Sequence, residues 1–314
     1  MKQGVKMKER LISIILLTYK KFQYFEECIN SILIQRYSNI ELVISDDGSE
    51  NFNKEKICSF IEQNKRENIK NVIIKEHESN VGTVRNFNDA VKLSSGEYII
   101  GIGIDDVFFD ENVIENVVKA FDDNSCDILI TYRSVYNRDL SKNLGLKPEL
   151  NEIELIKGNT NKLYKALCKE SFISGAGTSY TRKFLEKEGY FDEEYKLCED
   201  YPTFLRASRK GYKFYFLNVP TIKYRLDGIS TQSTVHPILD RDMKYAIKKE
   251  ILPYRQIIGM QLYRIKKFEL DKYDLKTKKD LISYRLKLGI LIIKNVDIAI
   301  SKTWRKIINR IGAE

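Results

Sequence analysis

The chain has 314 residues, 43% hydrophobic and 31% charged, with a formal net charge of +9. That length and balance fit one large globular domain, or a domain with an appendage, and exclude a disordered chain. Two histidines, His77 and His236, and five cysteines with no Cys-x-x-Cys pair leave little material for a zinc ribbon or a Ser-His-Asp triad.

The apolar run at 11–17 (LISIILL) reads as a buried strand. No small-residue cleavage site follows it, which argues against a secretory signal and for reduced thiols in a cytoplasmic protein. Phe22, Phe25, Ile29, Ile32 and Leu33 give residues 22–36 a helical face. Ile40 to Ile44 is a second strand, ending at Ser45-Asp46-Asp47-Gly48-Ser49. A helix over 53–66, a strand at Val72-Ile73-Ile74, a helix over 83–93 and a strand from Tyr98 to Ile104 follow. Next come a helix near 111–122 and a strand near 127–132. Residues 136–160 are polar and lack a period, as a loop that orders on ligand binding or an insertion with its own local structure would. Patterning returns near 161.

Strands alternating with helices at short intervals predict an α/β fold with a mostly parallel sheet flanked by helices. Ligands in such sheets bind beyond the carboxyl ends of the strands. Thr18-Tyr19, Asp46-Asp47 and Asp105-Asp106 all fall there. Adjacent carboxylates repel and call for a positive partner. Magnesium-like ions commonly bridge one or two carboxylates to substrate phosphates. The rim therefore points to a nucleotide-diphosphate site, against the alternative of solvated Asp-Asp turns.

In their order and spacing these residues resemble the family-2 glycosyltransferases of the GT-A fold, from about Ser13 to Thr231. The matching pieces are Ser13-Ile14-Ile15 through Thr18-Tyr19, Ile32 with Gln35-Arg36-Tyr37, and Glu41 to Ile44 with Asp46-Asp47-Gly48-Ser49. They continue with Asn80-Val81-Gly82 and Arg85-Asn86, Ser95-Gly96-Glu97-Tyr98, Asp105-Asp106 and Glu199-Asp200. The resemblance implies that Thr18 and Tyr19 hold the base and ribose. It makes Asp47, supported by Asp46, the acceptor from the base, and puts Arg85 near base and phosphates. Asp105 then lies on the ribose and metal side, Asp106 ligates Mn²⁺ or Mg²⁺, and Asp200 is the general base of an inverting transfer. Pro202 suits the first turn of a helix starting near Asp200. From the residues alone, Asp200 reads better as that helix's N-cap than as a base.

Two positions depart from the family pattern. Gly103 replaces the first acid of Asp-x-Asp-Asp, which leaves two carboxylates for a metal. Asp227 stands where a histidine is common, with Arg225 or Lys223 as substitutes for phosphate contact or as structural residues. Ser174-Gly175-Ala176-Gly177-Thr178 allows either close approach of a ligand or a tight strand crossing.

The expected division is a catalytic domain over 1–235 and a basic helical extension over 236–314, with helices at 238–267 and 278–311. Residues 236–314 hold 19 Lys and Arg against 9 Asp and Glu. A basic amphipathic helix suits an anionic membrane surface, the catalytic domain or a second copy of the chain. The expected partners are a nucleotide-sugar donor, UDP-linked, and a glycan or lipid-linked acceptor. The expected setting is bacterial surface polysaccharide synthesis, cytoplasmic or peripheral at the inner membrane face. Nucleic acid is not an expected partner: it would explain the basic tail but not the acidic strand tips, and no zinc finger or aromatic RNA-binding signature is visible. A nicotinamide enzyme is disfavoured because Gly101-x-Gly103 runs into two acids. The alternative from another class is a catalytically inactive scaffold of the same fold.

Overall fold

The computed structural model describes residues 9–226 and 236–271, together with Leu286. The described residues divide into two compact units, one ending at Glu250 and one beginning at Ile251.

The first unit is built on a sheet of nine strands among the described residues. Strands β1 (Ile12–Thr18), β2 (Ile40–Asp46), β3 (Ile69–Glu76) and β4 (Tyr98–Gly103) run parallel in the order β3-β2-β1-β4. In β1 and β2 nearly every residue is buried, as expected of a parallel strand covered by helices on both faces. The register sets Thr18 beside Asp46 and Leu17 beside Gly103, so the three polar tips end level with one another. The helices that follow are α1 (Phe25–Leu33), α2 (Lys54–Asn64) and α3 (Thr83–Leu93). Phe25, Ile29, Ile32, Ile57 and Ile61 on α1 and α2 pack into the main core against Ile14, Leu42 and Ile44. Each such side chain contributes about 1.5–3 kcal/mol on burial.

Beyond β4 the sheet becomes mixed. It continues β4-β8-β6-β9-β5, with β5 (Val107–Phe108), β6 (Ile128–Tyr136), β8 (Thr178–Thr181) and β9 (Phe214–Arg225), while β7 (Asn143–Lys147) hairpins onto β6. Helices α4 (Val113–Asn124), α5 (Leu150–Lys157), α6 (Thr160–Lys169), α7 (Arg182–Glu188), α8 (Asp200–Lys210) and α9 (Pro237–Ala246) complete this unit. The polar stretch 136–160 is thus an insertion with its own structure. A capping box between Glu149 and Glu152 starts α5.

The predicted motif pieces away from the rim serve the framework. At the amino ends of the strands, Glu41 accepts from the Ser13 hydroxyl (2.7 Å) and from the Ser95 amide (2.7 Å), while Ser13 accepts from the Gly96 amide (2.8 Å). Gln35 donates to Ser31 O and Asp110 O, and its Oε1 accepts from the Ile114 amide. It ties α1 to the start of α4.

The second unit contains a 3₁₀ turn at Leu252–Tyr254, then α10 (Arg255–Ile258) and α11 (Met260–Asp271). The single helix expected over 238–267 is therefore interrupted, at Pro253 and again at Gly259, where a proline lacks its amide and a glycine favours ending a helix. The helix expected over 278–311 lies outside the described residues apart from Leu286.

Candidate active site

The β2 tip is a closed hydrogen-bonded cradle. Asp46, fully buried, accepts from the Thr18 hydroxyl (2.8 Å), the Ser49 amide (2.7 Å) and the Ser49 hydroxyl (2.8 Å). Thr18 and Asp46 thus face each other inside the protein. Asp47 turns the other way and accepts from the Val81 amide (2.6 Å), the Asn80 side chain (2.8 Å) and the Gly82 amide, shared between its oxygens at 3.2 Å. Burial raises the Asp47 pKa, and these amides and the charge of His77 pull against the rise. Gly82 has to be glycine: its φ is +91°, and a Cβ there would lie 2.7 Å from Lys196 O. Lys196 O also accepts from the Val84 amide (3.2 Å), which joins this cradle to the chain leading to Asp200.

The β4 tip is built differently. Asp106 is buried, and its Oδ1 accepts from the Arg225 amide at the end of β9 (3.0 Å). Its Oδ2 has no hydrogen-bond partner among the described residues. Burial and the charge of Asp105 push its pKa far above the usual carboxylate range. Asp105 pairs with Lys21 Nζ (2.8 Å). Arg225 is itself buried and spends its donors on Asp105 O (2.7 Å), Arg138 O (2.5 Å) and Glu27 (2.7 Å), with its guanidinium 4.2 Å from the Tyr24 ring centre. It is therefore committed to holding this tip. Two adjacent carboxylates, one with an open oxygen and a destabilised negative charge, fit a hard divalent ion. No group of three or more His, Cys, Asp or Glu side chains poised for a metal occurs among the described residues. An ion here would complete its shell with phosphate oxygens and water.

The third acidic group opens α8. Asp200 accepts from the Gly175 amide (2.8 Å) and the Tyr201 amide (2.6 Å). Burial is the main cause of its raised pKa, opposed by these amides and by the charge of Arg133. Glu199 beside it is raised by burial and by the Asp200 charge. A Cβ on Gly175 would sit 3.1 Å from Glu199 Oε1 and 3.7 Å from Asp200 Oδ2, so the small residue at 175 lets backbone reach the acid pair. The strand β8 begins at Thr178, which makes the small-residue segment the turn into that strand. The loop before α8 is fastened by Asp242 of α9. This fully buried carboxylate accepts from the amides of Lys196 (2.8 Å), Leu197 (2.7 Å) and Cys198 (3.2 Å).

The three acidic tips are thereby linked. Asp47 connects through Val81, Gly82 and Lys196 to the Asp200 loop, and the charge of Arg133 on β6 acts on both Asp106 and Asp200. Tyr19 stands at the rim, 37% exposed, with Lys20 Nζ 4.9 Å from its ring centre. Arg85 is not drawn into this group. It is largely exposed in the first turn of α3, and its ion pair is with Asp89 of its own helix (3.7 Å).

The family model described as "Glycosyl transferase family 2" matches residues 13–189, more than half of the chain. The chain belongs to glycosyltransferase family 2. Among curated relatives, an uncharacterised glycosyltransferase of Haemophilus influenzae is 24% identical over 88% of this chain and 92% of its own length. Glycosyltransferase GlyA of Streptococcus pneumoniae is 24% identical over 80% of this chain, and GlyG of the same organism 33% identical over 42%. The chain spans only 38% of GlyA and 41% of GlyG. Among solved structures, S. aureus TarS 1-349 in complex with UDP-GlcNAc superposes with a TM-score of 0.58 at 18% identity, over 82% of this chain and 73% of that one. Mannosyltransferase PcManGT from Pyrobaculum calidifontis, in complex with GDP-Man and Mn2+, gives 0.53 at 14% identity over 96% and 89%. These likenesses establish the mixed α/β GT-A fold for this family-2 chain.

The family match stops before Asp200, Arg225 and Asp242, so what completes the rim comes from the later part of the chain. Nothing in the sequence marks Lys21, Arg133 or Asp242 as site residues in their own right. Arg133 sits in an ordinary strand pattern (ILITYRSVY) with no motif around it. Asp242 looks like any surface acid of a basic helix until its three amide partners are seen.

Proposed function

We propose that this family-2 protein is an inverting, divalent-ion-dependent glycosyltransferase that moves a sugar from a UDP-linked donor to an acceptor hydroxyl. The observation that carries the reading is that β6 touches the supports of both acids: Thr131 donates to Gly177 O in the turn whose Gly175 amide bonds Asp200, and the Arg133 guanidinium lies 5.2 Å from the ring centre of Tyr224, next to the Arg225 amide that bonds Asp106. That arrangement supports a common space bordered by the metal-side acid and the base-side acid. The relatives solved with UDP-GlcNAc or with GDP-Man and Mn2+ support a nucleotide-sugar donor.

In this reading Asp200 removes the proton of the acceptor hydroxyl as its oxygen attacks the anomeric carbon. The bond to the diphosphate breaks on the opposite face, and the electron pair leaves with the diphosphate. A single base without a covalent sugar gives inversion, in contrast to a double displacement. The raised pKa of Asp200 makes it a stronger proton acceptor than a solvated carboxylate. Asp105 and Asp106 would hold the divalent ion, which when bound offsets charge on the leaving diphosphate as a Lewis acid. Asp47 faces the base through its cradle, Tyr19 offers an exposed ring beside it, and Thr18 and Asp46 fix the shape of that wall. Arg85 is proposed to reach the phosphates from the exposed side of α3.

The proposed acceptor is a glycan or lipid-linked glycan of bacterial surface polysaccharide synthesis, met at the inner membrane face. The basic balance of residues 236–314 supports the membrane-face part of this reading. The same segment could instead join two copies, and sedimentation with anionic vesicles separates the two. Among the described residues no helix is long and apolar enough to cross a membrane.

The test is thermal shift with a panel of nucleotide sugars and Mn²⁺, followed by assay of nucleoside diphosphate release. Stabilisation by UDP-sugars and release that Asp200→Asn abolishes are expected. Binding without release under any acceptor would favour the inactive scaffold, and no binding would end the proposal.

A further inference from the structure

Two arginines border the acidic rim, and they are in opposite states. Arg225 has its donors engaged with Asp105 O, Arg138 O and Glu27. Arg133 has a buried Nε with no hydrogen-bond partner among the described residues, and no ion pair to any of them. A buried donor left unpaired costs about 1–3 kcal/mol, and more when charged, so an arginine kept in this condition calls for a reason.

Its position supplies one. The Arg133 guanidinium lies 5.2 Å from the centre of the Tyr224 ring. Tyr224 immediately precedes Arg225, whose amide bonds Asp106. Two residues back on β6, Thr131 Oγ1 donates to Gly177 O (2.9 Å), at the far end of the turn whose Gly175 amide bonds Asp200. The side chain is thus held over an aromatic face between the two acidic tips, with its fork left open. A planar guanidinium stacked on a ring presents donors suited to paired anionic oxygens, as in phosphate or carboxylate recognition.

We propose that Arg133 is a substrate-binding residue that receives an anionic oxygen group in the space between Asp106 and Asp200. This rests on the glycosyl-transfer reading and names a chemistry within it. The group is either the outer phosphate of the nucleoside diphosphate or an acidic substituent on the transferred sugar. Both offer the same paired oxygens, and the experiment separates them.

Arg133→Gln and Arg133→Lys are compared with the wild type by calorimetric titration in Mn²⁺, using UMP, UDP, UDP-glucose and UDP-glucuronate. If the outer phosphate is the ligand, Arg133→Gln lowers UDP affinity by about 10-fold or more, as expected for a charged hydrogen-bonded pair, and leaves UMP affinity unchanged. If the sugar is the source, UDP and UMP are unaffected, and a wild-type preference for UDP-glucuronate over UDP-glucose disappears in the variant. In either case Arg133→Lys, which keeps the charge without the fork, recovers only part of the effect. It also serves as the reporter should Arg133→Gln fail to fold.

Unchanged affinities for all four ligands in a folded variant would overturn the proposal and leave Arg133 as a counter-charge for the carboxylates. A wild type that binds none of the four would instead overturn the reading of a UDP-linked donor, and this one with it.

Discussion

Two strand tips in this protein carry the same Asp-Asp dipeptide, and the fold treats them in opposite ways. At the β2 tip both carboxylates are saturated by the protein's own donors, from Thr18 and Ser49 on Asp46 and from Asn80, Val81 and Gly82 on Asp47. At the β4 tip Asp106 accepts one backbone amide and keeps an open oxygen, under the repulsion of Asp105. An acid pair satisfied in this way is fixed in position and shapes a wall. At the β4 tip Lys21 pairs with Asp105, and Asp106 beside it, with one oxygen open, is poised for something that brings positive charge. Identical dipeptides at equivalent strand ends thus differ in what they can bind, and the difference lies in residues far away in sequence.

The sharpest way to break this comparison is by activity. Asp106→Asn and Asp200→Asn should each lower transfer by roughly 10²–10⁴-fold, the range expected when a positioned acid–base or charge-stabilising group is lost. Asp200→Asn should leave donor affinity nearly intact, whereas Asp106→Asn should weaken it in Mn²⁺. Steady-state rates and calorimetry read both.

Stability should sort the tips the other way. Asp47→Asn sets an amide donor against a ring of donors and should cost about 2–3 kcal/mol, seen as a lower urea midpoint. Asp106→Asn keeps an acceptor for the Arg225 amide and removes a destabilised charge, so its metal-free urea midpoint should equal or exceed that of the wild type. Asp242→Asn should cost about 1–3 kcal/mol and slow turnover more than it weakens donor affinity, because the loop it fastens leads straight into Asp200 and meets the Asp47 cradle only through Lys196 O. A drop in donor affinity with turnover intact would contradict that assignment.

The smallest effect is on pH. Burial and the neighbouring Asp200 charge push the Glu199 carboxyl up to about 8, so the folded protein binds more protons than the unfolded chain between the ordinary glutamate value and that one. Stability should therefore fall as pH rises through that window, and be fully relieved of the penalty below the ordinary value. Glu199→Gln should flatten the fall, leaving the variant ahead of the wild type by on the order of 1 kcal/mol or more at the alkaline end, measured by urea denaturation in chelator. Parallel pH profiles for the two proteins would show that Glu199 is ionised at little cost.

Much of this architecture is legible in the chain because burial writes it there. The runs ISIILLT and IELVISD are buried on both faces and could only be central strands. The acidic tips are legible for the same reason, since charge at the end of an apolar run is conspicuous. What is not legible is what depends on distant pairing. The two-residue β5 and four-residue β8 are too short to show a period, and they exist because β9 and β4 pair with them. The hairpin at β7 hides in a polar stretch because its strand is exposed. Arg133 gives no sign of its surroundings, since the Tyr224 ring it lies over belongs to a strand distant in sequence. The motif pieces at Gln35, Glu41 and Ser95-Gly96, by contrast, are framework at the other end of the strands.

The most direct test of the contrast between the tips is UDP binding by wild type and Asp106→Asn, each titrated in Mn²⁺ and in excess chelator. The account predicts wild-type affinity at least about 10-fold tighter in Mn²⁺, and an Asp106→Asn protein whose weak binding does not respond to the metal. Equal wild-type affinity in both conditions, or an Asp106→Asn protein that keeps the metal response, would contradict it.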